Sequence, residues 1–314
     1  MATTFHTMVQ NQDLRLEKII SQEIRILLKD STNLRNTPFM DYCGSINGSG
    51  SDTIRVRKAG LDDGDFTAFT GLTEATGVGD SVLADGGVDI VVKRQALAYA
   101  LSDLGGMTEL AGAVNGIDPF RIAESISNSY DKLFADLTGA TVASFTTIMG
   151  QSGFANTVAH FIDAVQALES AASGVGAPGP YVALLHPKQF ADIQDSILAQ
   201  TTGILQFVQP SYEALSAKGS HYKGSFLGVD IYTSSHVTND GVDHIGAFFA
   251  PGALGYANGM PAALPGAVQT MDMGEVLIEM DREADKALTR IVGHCYLGMS
   301  IIDDDRGVAF KGAI

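Results

Sequence analysis

The sequence predicts a mixed α+β chain, and three observations predict it. The longest helix signal, Asp118–Thr138 (DPFRIAESISNSYDKLFADLT), lies between two regions of short strand-like runs. A stretch at 59–87 with seven glycines and six acids separates two of those runs. The late runs Glu275–Asp281 and Leu288–Ile302 read as adjoining strands.

At 314 residues the chain can form one large domain or two of ordinary size. No apolar run of about eighteen residues occurs, so no membrane-spanning helix and no membrane partner are expected. The first residues, MATTFHTMVQNQDLRLEK, lack the apolar core of a secretory signal. Cys43 and Cys295 stand far apart and make no disulfide framework, which fits a reducing compartment. The net charge is −16 and uneven: residues 1–60 hold eight of the twenty Lys and Arg but only six of the 36 acids. A duplex-DNA reader needs a concentrated basic face, and this chain has none.

In chain order, residues 11–30 carry Leu16, Ile20, Ile24 and Leu27 on one helical face. Such a helix is expected to dock on its own core or on a neighbouring subunit. Residues 41–53 read as a Gly/Ser loop, and Thr53–Arg57 as a strand. After the glycine-rich acidic stretch, Val88–Leu101 resumes a strand-like run. Two strands around a long loop suggest an extended hairpin arm, with Phe66, Phe69 and Leu72 lying on something.

In the long helix, Asp118 suits the N-cap and Pro119 the first turn. Ile122, Ile126, Tyr130, Leu133, Phe134 and Leu137 form its apolar stripe, and Gly139 suits its stop. Arg121, Glu124, Asn128 and Asp131 mark its polar face. A second helix is expected at Asn156–Ala172, with Asn156 as cap and Val158, Phe161, Ile162, Val165 and Leu168 as stripe. Tyr181–Leu185 reads as a buried strand that His186-Pro187 breaks, and Pro187 opens a helix with Phe190, Ile193 and Ile197 on one face. Residues 199–226 are loop-rich. Gly228–Val237 and Ile245–Ala250 read as strands around the turn Asn239-Asp240-Gly241, and Pro251–Gly266 is a Pro/Gly segment. In Glu275–Asp281, Val276, Ile278 and Met280 alternate with Glu275, Glu279 and Asp281. Arg282–Ala287 makes a hairpin turn into Leu288–Ile302, and a short strand closes at Val308–Phe310.

Chemistry is sparse. The chain has no phosphate loop, no nucleophile elbow and no H-E-x-x-H zinc helix. Gly174–Gly179 fits the G-x-G-x-x-G spelling but follows a helix and leads into a strand, the reverse of a dinucleotide site. His236, Asp240, Asp243 and His244 are expected at an exposed turn, and Asp303–Asp305 at a solvated one. Asp62, Asp63 and Asp65 have nothing to fix a cation's geometry. Cys295 is expected on a strand with His294 directed to the opposite face. No catalytic, cofactor-binding or metal-binding residue is assigned, and no cofactor is expected.

Four stretches carry a family resemblance: GPYVALLHPKQFADIQDSI (179–197), KGSFLGVDIYTSSHV (223–237), HIGAFFAPGALGYANGMP (244–261) and LTRIVGHCYLGMSIIDDDRGV (288–308). In this order, behind an arm and a long helix, the chain resembles the major capsid protein of tailed double-stranded DNA phages, the Hong Kong ninety-seven fold. The resemblance implies an N-terminal arm (1–53), an extended two-stranded loop (54–92), a peripheral domain (93–145 and 265–314) with a spine helix at 118–138, and an α/β axial domain (146–264). It implies pentamers and hexamers of the chain itself closing an icosahedral shell around double-stranded DNA, which the protein touches only weakly. It also implies a portal and a separate scaffolding protein as partners, synthesis in a host bacterial cytoplasm, and a place in the virion. Some relatives weld the shell through a lysine in the extended loop; residues 59–92 contain none, so no such cross-link is expected. Encapsulating compartments share the fold and are the alternative, with a small-molecule-binding α+β enzyme behind them.

Overall fold

Two six-stranded sheets meet over one shared core, and a long helix touches both. The computed structural model describes residues 40–57, 86–102, 119–170, 176–199, 210–218, 221–259, 267–269 and 276–314. The expected helix at 11–30, the cap Asp118, the acids Asp62, Asp63 and Asp65, and the arm residues Phe66, Phe69 and Leu72 lie outside the described residues.

The first sheet has the order β1 (Met40–Ser45), β10 (Leu254–Gly259), β13 (Leu288–Ile301), β12 (Val276–Glu283) and β11 (Ala267–Gln269), with β4 (Lys93–Ser102) paired to β13. The second runs β5 (Ile148–Met149), β14 (Gly307–Ala313), β9 (Asp243–Phe249), β6 (Tyr181–Leu185), β8 (Val229–Thr233) and β7 (Tyr222–Phe226). A separate hairpin pairs β2 (Thr53–Arg57) with β3 (Gly87–Val91). The helices are α1 (Pro119–Val142), α2 (Val158–Glu169), α3 (Pro187–Ala199) and α4 (Tyr212–Lys218).

The second sheet is covered on both faces, which is why β6 and β9 read as continuous apolar runs rather than alternating ones. Val182 and Leu184 of β6 face the shared core, with Ala247 and Phe249 of β9. Ala183 and Leu185 face the other way, with Phe161 of α2 and Ile193 of α3. There Phe248 packs edge-on against Phe161 at 4.8 Å and Phe310 at 5.1 Å between ring centroids, an arrangement the ring quadrupoles favour. Gln189 of α3 is fully buried and satisfied: its amide donates to the carbonyls of His244 (2.9 Å) and Phe310 (3.1 Å) and accepts from the His186 N–H (3.0 Å).

Several expectations are corrected. Helix α1 runs through Gly139 to Val142. Gly139 is there for close approach, since a Cβ at that position would meet Thr238 Oγ1 at 1.8 Å. On the polar face, Glu124 and Asn128 are exposed but Asp131 is buried. Thr157, not Asn156, caps α2, its hydroxyl accepting from the His160 N–H, while Asn156 is buried against Gly312. The loop expected at 41–53 contains β1, the Pro/Gly segment at 251–266 contains β10, and the loop-rich 199–226 contains α4 and β7. Leu277 is buried alongside Val276 and Ile278, so β12 does not simply alternate. Asp243 and His244 are buried, leaving only 239–242 exposed at the turn. In the sheets, β10 pairs with β13 and β14 pairs with β9.

Candidate assembly surfaces

The hairpin β2–β3 is the footing of the 58–86 stretch. Its register runs from Thr53 opposite Val91 to Arg57 opposite Gly87. Ile90 and Val92 are buried against Ala257 of β10, with Cys43, Ile46, Ile54, Val56 and Tyr296 packed around them. The Val92 N–H donates to the Asp52 carbonyl at 2.9 Å. The hairpin crosses β13 so closely that a Cβ on Gly298 would meet the Val91 carbonyl oxygen at 2.3 Å. Glycine is therefore demanded there by packing. Arg55, Arg57, Asp89 and Val91 are left exposed on the hairpin.

Helix α1 connects the two sheets. Ile126 and Tyr130 are buried with Val276, Ile278, Ile291 and Cys295 of the first sheet, and Ile122 and Leu133 pack partly buried beside them. One turn on, Phe134 is fully buried in the shared core, where Leu137 packs at its border. Its ring stands edge-on to Tyr256 of β10 at 6.2 Å. The stripe thus lies on the first sheet at its start and in the junction of both sheets at its end. Near the C-terminal end, Thr138 and Thr141 hydroxyls donate to the Phe134 and Leu137 carbonyls, satisfying side chains that could otherwise compete with the helix.

The chain passes between the sheets twice more, at 250–254 and at 302–307, and the two passages are clasped together. The Ala250 N–H donates to the Arg306 carbonyl at 2.8 Å, and the Ile302 N–H to the Ala253 carbonyl at 3.0 Å. Asp303 is 3 % exposed and holds Arg306 Nε at 2.9 Å, while Arg306 Nη1 donates to the Pro251 carbonyl at 2.8 Å. Asp304 accepts the Thr146 N–H at 3.1 Å. The acidic run at 303–305 is thus a set of joints, with Asp303 buried rather than solvated. A lone carboxylate would not be tolerated there; the paired, hydrogen-bonded one is.

Among the described residues no group of three or more His, Cys, Asp or Glu side chains is placed to hold a metal ion. Asp243 accepts instead from Ser152 Oγ (2.5 Å) and the Gly153 N–H (2.7 Å), pinning that loop to β9. Cys295 is buried against α1, and Cys43 has its thiol pushed up by burial, with the Asp41 carboxylate adding to the rise. Cys43 is therefore not poised as a thiolate nucleophile. A cavity of about 190 Å³ lies between α1 and the first sheet, lined chiefly by Leu97, Ile126, Tyr130, Leu133, Val276 and Cys295. His294 at its rim is engaged by Arg94 at 3.2 Å and Glu279 at 3.4 Å. Where Gly176 and Ala177 are described, they turn back on α2: the Ala177 N–H donates to the Leu168 carbonyl at 2.9 Å. That contact closes a helix end rather than opening one.

No protein-family model and no curated protein sequence matches the chain. Solved structures do match. The head structure of Helicobacter pylori bacteriophage KHP40 aligns with a TM-score of 0.55 at 12% identity, covering 91% of this chain and 91% of that one. The mature capsid of bacteriophage PhiM1 aligns at 0.54 with 11% identity, covering 87% and 85%. The chain has the phage major capsid fold. The SrpI encapsulin of Synechococcus elongatus PCC 7942 aligns at 0.58 with 13% identity, covering 90% and 87%, so the fold here is shared with an encapsulin. The sequence left the clasp at Asp303–Arg306 unread: its one signal, a charged run just after a long strand, is also that of any solvated turn.

Proposed function

We propose that this protein is a major capsid subunit that assembles with copies of itself, as pentamers and hexamers, into an icosahedral shell around double-stranded DNA. One observation carries the reading. The architecture of two sheets, bridging helix and hairpin footing aligns end to end with phage head proteins over about nine-tenths of both chains. The charge supports it, because an acidic protein can enclose DNA without binding it tightly. In this reading the peripheral unit is the first sheet with α1, extended by β10, and the axial unit is the second sheet, extended by β14. The extended loop (54–92) is an arm on which Phe66, Phe69 and Leu72 contact a neighbouring subunit. Head-to-tail contacts of this kind close into rings. The partners are then a portal and a separate scaffolding protein, the place of synthesis is a host bacterial cytoplasm, the final place is the virion, and the role is structural rather than catalytic.

The second reading is the shell of an encapsulating compartment, favoured by the alignment with the encapsulin. Particles isolated from the native source separate the two. Nuclease-resistant DNA inside them supports the capsid; a discrete protein cargo without DNA supports the compartment. A monodisperse small oligomer would overturn both.

A further inference from the structure

Two segments singled out in the sequence, the His-Pro break after β6 and His244 of the 236–244 group, meet in space, and the shell reading makes no use of them. His186 and His244 stack face to face, with ring centroids 3.5 Å apart and planes 13° from parallel. His244 is 7 % exposed on β9, and His186 is half-buried at the start of α3. Gln189 fixes the approach, since it binds the backbone of both residues.

The stack suits neutral rings. His186 Nδ1 accepts the Lys188 N–H at 3.2 Å, so this nitrogen carries no proton. His244 Nδ1 is buried and has no hydrogen-bond partner among the described residues. A proton on His186 Nδ1 would turn an acceptor into a donor facing another donor. A proton on His244 Nδ1 would create a buried charged donor without an acceptor. Of the neighbouring charges, Asp243 offsets this on His244 only in part. Lys188 and Asp192 on α3 pair with each other at 2.5 Å. The Asp243 carboxylate beside His244 is occupied by Ser152 and Gly153. Lys311 on β14 reaches Asp240 at 3.5 Å rather than the rings.

We propose that the stacked His186–His244 pair is an acid-sensitive latch, which holds the start of α3 against β9 while neutral and releases that corner when protonated. Burial lowers the titration of both rings; the neighbouring His244 adds to the effect on His186, while Asp243 opposes it on His244. The sign follows. The unfolded chain takes up these protons first, near the ordinary histidine value of about 6.5. The latch is therefore at full strength above about pH 6.5 and is lost as pH falls from there through the lowered folded values.

The test is an NMR titration of the ring Hε1 signals of the whole soluble subunit, with amide hydrogen exchange at Phe190–Ile193 followed over the same range. Both rings are expected to titrate below the free histidine value, and protection of those amides to fall with them beyond the intrinsic pH trend. His244→Phe keeps a ring in the stack but removes the proton, so its α3 protection should follow the intrinsic trend alone. Titration of either ring at or above the free value overturns the proposal, as does unchanged protection in the wild type. The wild-type titration decides the matter even if the variant fails to fold.

Discussion

Replacing Phe134 with alanine probes the place where α1 leaves the first sheet and enters the shared core. The side chain is 0 % exposed and sits among residues of both sheets, including Phe249 and Leu184 on one side and Leu254, Tyr256 and Leu297 on the other. Removing a buried phenylalanine costs about 3–5 kcal/mol, from lost transfer energy and the cavity left behind. Scaled by an unfolding entropy of about 2 cal/mol/K per residue, that loss lowers Tm by about 5–8 °C for a chain of this length. The chain has nine tyrosines and no tryptophan, so intrinsic tyrosine fluorescence in urea is the direct assay, with far-UV circular dichroism as the second probe. The slope with denaturant should stay unchanged while the midpoint falls. Ile122→Ala, only partly buried at the other end of the stripe, should cost about 1–2 kcal/mol. A Phe134→Ala loss below about 1 kcal/mol, or one no larger than that of Ile122→Ala, would refute the view that α1 fastens the two sheets together.

Two further outcomes are expected. Asp303→Ala strands the Arg306 guanidinium, which is one-fifth exposed and keeps its bond to Pro251, so the loss should be about 2–3 kcal/mol by urea unfolding; Asp303→Ala combined with Arg306→Met should recover part of it, and no recovery would mean that the pair is not the clasp. Replacing Phe66, Phe69 and Leu72 together by serine should leave the subunit's own melting unchanged but lower the denaturant concentration at which particles come apart; equal particle stability would dissociate these residues from assembly.

Much of the architecture was legible because local and tertiary demands agree. The stripe of α1, the buried run YVALL and the strand LTRIVGHCYLGMSI each carry the period of the surface that buries them. What escaped was governed by glycine. Gly139 looked like a stop, but it lies within α1 because Thr238 presses against it. Strand β10 was hidden in a Pro/Gly segment, though its Gly255 and Gly259 are the points where the side chains of Cys43, Ile302 and Ile46 crowd against that strand. Strand β1 was hidden for a related reason: it pairs in parallel with β10 across a register shift between Tyr42 and Gly44, and no local alternation announces a strand of that kind. The histidine stack was illegible because His186 and His244 are brought together by Gln189 and by the pairing of β6 with β9. Sequence spacing carries no trace of that meeting.

Electron microscopy of the purified protein, in negative stain, tests the central claim most directly. Closed shells with pentameric and hexameric capsomers are the expected result. Discrete small oligomers, under conditions where the subunit is folded and concentrated, would contradict the assignment of this fold to a self-assembling shell.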